Sequence, residues 1–285
     1  MGNGCNRWKI LNRLYPLLSV AIFVLLAFCF VFADARLFAS AAQMPEIQRR
    51  GYIKIAVKDN LRPLAFRDAT GQLQGLEIDL AKRLTVDLLG KEDSFRLQPV
   101  KNQDRLSAVL DDKVDIAIAR VTATSSRARL VSFSVPYYFD GTALLTKDNT
   151  VQQLSHLTKR KIAVLDRSST IATVRYYLPS AELVGIDSYQ AAIALVEKDA
   201  VAAFAADGSV LSGLVQQYTQ YRILQAKLST EPLSVVMPKG LQYDELRRKV
   251  NFAIARYIDS GWLGERIKYW GLPSKNGDWG LGTGE

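Results

Sequence analysis

The chain has 285 residues, 48% of them apolar, and a formal net charge of +9. That apolar share supports a real core and excludes global disorder, and the length allows one or two domains. Cys5 and Cys29 both lie near the N-terminus and His156 is the sole histidine, which excludes from the remainder a disulfide framework, a thiolate metal site and a multi-histidine centre.

The first elements concern export. Arg7, Lys9 and Arg13 precede an apolar run from Leu17 to Phe32, and Ala39-Ser40-Ala41 follows as a small-x-small pattern. This order predicts a secretory signal peptide over residues 1–42. The apolar run is shorter than the ~20 residues of a comfortable span. The alternative is retention of the segment as a membrane anchor. Phe28, directly before Cys29, argues against lipid attachment there.

From Tyr52 strands alternate with helices. Tyr52–Val57 reads as a strand broken by Leu61-Arg62-Pro63, and Asp68–Gly71 reads as a turn. Ala81, Leu84 and Leu88 share one face of a helix over Ile78–Leu88, ended by Gly90. Leu106, Val109 and Leu110 mark a second helix. Val114–Ala119 is a short apolar run closed by Arg120, the pattern of a buried strand. Thr122, Thr124, Ser125 and Ser126 follow it and end in Arg127. Hydroxyl side chains stop strands and cap helices. Ligands of open parallel sheets bind outside the carboxyl ends of the strands, where the Arg127 guanidinium can grip a carboxylate through two parallel hydrogen bonds.

Phe133–Leu145 reads as extended. A second group follows: strands over Lys161–Leu165, Leu183–Ile186 and Ala200–Phe204, helices over Ile171–Leu178, around Ile193–Val196 and over Leu211–Tyr218. Leu233–Met237 is extended again. Helices over Tyr243–Ser260 and Leu263–Trp270 close the fold, and 274–285 reads as a Gly-rich tail. The pattern predicts α/β architecture with parallel-type sheets flanked by helices. The last two helices have no strand group of their own. They return to the first lobe through the Leu233–Met237 strand, leaving two lobes, two crossings and a cleft. No Lys/Arg run with interleaved aromatics is present, so nucleic-acid binding is not implied.

Five motifs in order now carry a resemblance. They are Tyr52–Val57 with Pro63 and Phe66; Gly75-Leu76-Glu77-Ile78-Asp79-Leu80; Val114-Asp115 through Thr124 to Arg127; Phe133-Ser134-x-Pro136-Tyr137-Tyr138; and Val201 to Asp207. Over about Gln48–Pro273 the chain resembles the bacterial extracellular solute-binding proteins of family 3, the polar amino-acid receptors of ABC importers. The resemblance implies the two-lobed type II periplasmic-binding-protein fold with a two-strand hinge. Lobe 1 would comprise 43–138 plus 234–273, and lobe 2 would comprise 139–233. It implies a periplasmic, monomeric receptor with no cofactor or metal and no catalytic residue. Its partners would be an amino-acid ligand and an inner-membrane permease.

Carried over residue by residue, Arg127 and Thr122 would hold the ligand carboxylate and Asp207 its ammonium. Ser168, Ser169 and Thr170 would form the lobe 2 loop, whose backbone N–H groups can face an anion. Closure would bring cation and anion onto one zwitterion. The departures shift the expected ligand. Leu61 and Asn102 stand where the family places aromatics, Lys58 where receptors for basic ligands have Asp, and Arg120 and Arg167 where small residues are usual. If Arg120 and Arg167 face the cleft, the expected ligand is an acidic or small polar amino acid. If they turn outward, they pair with Asp or Glu. The rivals are a cyclohexadienyl (arogenate or prephenate) dehydratase on the same scaffold, which needs a positioned general acid, and a membrane-anchored sensor domain.

Overall fold

Alternation of side chains along two short apolar strands explains how the first sheet is covered on both faces. Ile116 and Ile118 point into one core and Ala117 into another, while Ile55 and Val57 separate from Ala56 in the same way. In the computed structural model, which describes residues 42–166 and 168–273, this sheet has five strands. Their spatial order is Phe95–Pro99, Ile53–Val57, Ile116–Ile118, Val236–Met237, Ser132–Phe133. The first three run parallel; Val236–Met237 is antiparallel to both of its neighbours. Residues 1–41, which hold nearly all of the expected signal peptide, Arg167 and the expected tail 274–285 lie outside the described residues.

The larger core of this sheet lies under the helices Leu76–Leu89, Asp244–Asp259 and Trp262–Tyr269. Asp79 fastens the C-terminal helix to the first of these. Its Oδ2 accepts from Arg266 Nε at 2.9 Å and Nη2 at 2.7 Å, and from Trp270 Nε1 at 2.8 Å. A second anchor is Asp115, fully buried ahead of its strand, which accepts from Lys54 N at 2.7 Å and from Arg50 Nη2.

The second sheet also has five strands, in the order Glu182–Ile186, Lys161–Leu165, Ala203–Asp207, Thr142–Thr146, Arg222–Ile223. Its first three strands run parallel, and Thr142–Thr146 is antiparallel to both of its neighbours. Thr170–Tyr177, Tyr189–Glu197 and Gly208–Gln217 are its helices. Ser188 caps the second of them, its Oγ accepting from Ala191 N at 3.2 Å.

Two connections join the sheets, and they pair with each other. Tyr138–Asp140 lies antiparallel to Glu231–Leu233, with Asp140 opposite Glu231. The expected continuous stretch Phe133–Leu145 is therefore three strands, Ser132–Phe133, Tyr138–Asp140 and Thr142–Thr146. Leu233–Met237 is likewise two, because the chain leaves the ribbon at Leu233 and enters the first sheet at Val236.

The sheets also meet side by side. The helix Gly208–Gln217 lies so close to the cis Arg62–Pro63 turn that a methyl group on Gly213 would stand 2.3 Å from the Arg62 carbonyl oxygen. Nearby, Gln216 Nε2 donates to the Trp270 carbonyl at 2.8 Å.

Candidate functional site

The strand Ile116–Ile118 ends against a cluster of charges. Arg120 lies two residues beyond it with φ +49, a left-handed conformation unusual for a long side chain. Its backbone is held from both sides. The N–H donates to Glu77 Oε1 at 2.7 Å, and the carbonyl accepts from Arg105 Nη1. Thus fixed, the side chain reaches across to the end of Ala203–Asp207. Arg120 Nη2 forms an ion pair with Asp207, and Nε stands 3.4 Å from Asp140 Oδ2 in the connecting ribbon. The Arg120–Asp207 pair links the carboxyl ends of central strands from the two sheets.

Burial works against the Arg120 charge, but Asp207 and Asp140 outweigh it and hold the guanidinium more firmly protonated than usual. Burial pushes the Asp207 carboxyl up to about 6, against the pull of Arg120. Asp140 is saturated: Oδ1 accepts from Gly141 N at 2.9 Å and Ser209 N at 3.0 Å, and Oδ2 from Ser209 Oγ at 2.5 Å.

Three further cations surround Arg120. Lys58 Nζ donates to the Val100 carbonyl at 2.9 Å. Arg105 donates to the carbonyls of Asn102 and Ala119, at 2.8 and 3.2 Å, besides that of Arg120. Arg127 opens a short 3₁₀ turn and donates from Nη1 to the Thr122 carbonyl at 2.9 Å. Among the described residues, none of these three has a carboxylate within 4.0 Å. Burial first, and mutual repulsion second, lower the proton affinity of Lys58 and Arg105.

The other expected residues spread out from this centre. Thr122 Oγ1 donates to Glu231 Oε2 at 3.2 Å. Ser168 Oγ accepts from Thr170 N at 3.1 Å, Ser169 precedes the helix without a side-chain cap, and Thr170 is buried. Asn102 is exposed, and Leu61 is half-buried against the larger core of the first sheet. Arg167 lies outside the described residues.

Four participants escaped the sequence reading: Arg105, Glu77, Asp140 and Glu231. Glu77 is fully buried; Oε1 also accepts from Tyr137 Oη at 2.6 Å, while Oε2 has no partner among the described residues. Burial raises its proton affinity, against those two donors. Asp140 and Glu231 were missed because the ribbon that brings them together was unseen. Two cavities, of about 420 and 460 Å³, lie elsewhere, around Asp79–Arg266 and around Tyr138–Leu263. Neither includes Arg127 or Asp207, and convergent charge, not volume, locates the candidate site.

Comparison with known proteins defines the class. The family described as bacterial extracellular solute-binding proteins, family 3, matches residues 53–273, and the chain belongs to it. It is 28% identical over 200 residues to the glutamine-binding protein of Geobacillus stearothermophilus, covering 69% of this chain and 76% of that protein. It is 24% identical over 221 residues to an ABC transporter glutamine-binding protein of Bacillus subtilis (strain 168), covering 76% and 80%. The solved structure of an ancestral cationic amino acid solute binding protein superposes with a TM-score of 0.70 at 24% identity, over 80% of this chain and 98% of that one. The architecture is the two-lobed type II periplasmic-binding-protein fold, with mixed sheets flanked by helices.

Proposed function

We propose that this chain is the solute receptor of an ABC importer and that it takes a small carboxylate of the acidic or small polar amino-acid class. In this reading the lobes are 43–138 plus 234–273 and 139–233, and they close on the solute by bending the connecting ribbon. Residues 1–42 direct export to the periplasm, where the monomer delivers its solute to a permease. One observation supports the ligand class above others: Lys58, Arg105 and Arg127 converge at the end of the Ile116–Ile118 strand with backbone carbonyls as partners and, among the described residues, no carboxylate within 4.0 Å. An anionic solute satisfies them, while a cationic side chain meets like charge in a poorly screened cleft. The glutamine-binding relatives agree with a carboxylate-bearing ligand of this size. The likeness to a cationic amino-acid receptor, at 24% identity, concerns fold alone.

Arg127 is the residue assigned to the ligand carboxylate, with Thr122 and the Ser168-Ser169-Thr170 loop beside it. The test is calorimetry of the mature chain against the common amino acids, with R127A alongside. Glutamate, aspartate or glutamine is expected to outcompete lysine and arginine. R127A is expected to lose about 2–5 kcal/mol of binding while remaining folded. Preference for arginine or lysine, or unchanged affinity in R127A, would overturn the assignment. Prephenate and arogenate are expected to show no turnover.

A further inference from the structure

The resemblance assigns the ammonium of an amino-acid ligand to Asp207, but here Arg120 already holds that carboxylate. Asp140 is held as well, by Ser209, the Gly141 N–H and the same guanidinium. Glu77 is fully buried and accepts from Arg120 N–H and Tyr137 Oη. Glu231 is committed less than any of these. It is half-buried and stands opposite Asp140 in the connecting ribbon. Among the described residues it has no cation within 4.0 Å, and its side chain accepts from Thr122 Oγ1 at 3.2 Å. Lys227, a few residues earlier, donates instead to the Phe139 carbonyl at 2.8 Å. The backbone fixes the place of Glu231. Ala123 N donates to the Pro232 carbonyl at 2.9 Å, Ser234 N donates to the Val121 carbonyl at 3.1 Å, and Thr122 pairs antiparallel with Leu233. Thr122 is thereby set between opposite charges: its hydroxyl donates to Glu231, and its carbonyl accepts from Arg127 Nη1 at 2.9 Å.

We propose that Glu231, and not Asp207, receives the ammonium of the amino-acid ligand, with Arg127 on the carboxylate of the same zwitterion; this rests on the receptor reading given above. An amino acid carries both charges on one carbon, so its receptor must bring a cation and an anion close together. Arg127 and Glu231, each bound to Thr122, meet that condition as they stand. Asp207 meets it only after a guanidinium has been displaced. With the ammonium on Glu231, the Arg120–Asp207 pair stays intact and the Thr122 hydroxyl turns to the ligand carboxylate. A neutral hydrogen bond to Glu231 is replaced by a charge-assisted one, roughly twice as strong. Glu231 is then a specificity-determining residue: it selects solutes that bear an ammonium beside the carboxylate.

The test is calorimetry at neutral pH with pairs that differ only in the ammonium, replaced by hydrogen: L-glutamine and glutaramate, L-glutamate and glutarate, L-aspartate and succinate. Competition against the amino acid supplies the affinity where direct binding is weak. In the pair that binds tightest, the wild-type chain is expected to favour the amino acid by about tenfold or more. E231Q keeps the shape of the side chain and removes its charge. It is expected to cut that preference by about tenfold, by weakening the amino acid while the other member stays within about threefold of wild type. A merely structural role for Glu231 would weaken both members alike. A preference absent from wild type, or retained in E231Q, overturns the inference while the receptor reading stands. If no amino acid binds wild type, the receptor reading fails and the inference with it. Should E231Q not fold, E231D decides: its charge is kept but drawn back from the ligand, so the preference is expected to fall, and a preference equal to that of wild type overturns the inference.

Discussion

Gly213 offers a direct test of whether the observed approach of the two lobes is the binding-competent one. A Cβ built there would meet the Arg62 carbonyl oxygen at 2.3 Å and its carbon at 3.0 Å. Both are backbone atoms, so no rotamer change relieves the overlap. G213A therefore forces the Gly208–Gln217 helix and the Arg62–Pro63 turn apart. Overpacking of this kind costs about 1–3 kcal/mol, and here it falls on the closed arrangement alone. The expected loss of solute affinity is about 5- to 150-fold. Within the helix, replacing glycine by alanine is favourable by up to about 1 kcal/mol. That gain is common to open and closed forms and does not offset the loss in binding. It does bear on unfolding, where the midpoint is expected to hold or to rise by about 2–4 °C. Calorimetry with the tightest wild-type solute measures the first quantity, and a thermal melt without solute measures the second. Affinity within twofold of wild type would refute the reasoning. So would a lowered midpoint, which would place the strain inside the second lobe.

Other perturbations probe the supports of the site. E77A removes the acceptor for the part-buried Arg120 N–H and the buried Tyr137 Oη; a loss of about 2–5 kcal/mol is expected in urea unfolding, with E77Q milder because one oxygen remains. Asp148 accepts from Thr150 Oγ1 at 2.6 Å, Thr150 N at 2.9 Å and Arg160 Nη2 at 2.9 Å, which draws its carboxyl down to about 2. A depressed carboxyl stabilises above its ordinary value near 3.8 and loses that effect as pH falls toward 2. D148N is expected to lower the melting midpoint at pH 7, with the two curves converging by pH 2.

What could be read without coordinates was local. Lys161–Leu165 is a strand over the range its apolar run marks, and Asp207 stands at the end of its own strand, although that strand begins at Ala203 and not at Ala200. Both follow from neighbours in sequence. Phe95–Pro99 was missed because it is an edge strand whose alternate residues face solvent, so no apolar run announces it. The Arg120–Asp207 pair was invisible for another reason. A replaced small residue says that a side chain is present, but its direction depends on a backbone turned to φ +49 and clamped by Glu77 and Arg105. The outward-pairing reading and the cleft-facing reading both contain part of the outcome, since Arg120 pairs with carboxylates that themselves line the junction of the lobes.

The place of Val236–Met237 in the first sheet also sets an order of events. That strand lies between Ile116–Ile118 and Ser132–Phe133, pairing with both. A ribosome delivers those neighbours early and their shared partner more than 100 positions later, after the whole second sheet has been made. Until then the first sheet has a slot in its middle, and the backbone on both sides of the slot lacks its partner. Contacts so distant along the chain are slow to form, and open strand edges invite wrong pairing in the interval. The polypeptide thus remains an unfinished polymer for nearly its entire synthesis, the state in which a chain can still be threaded through a narrow pore.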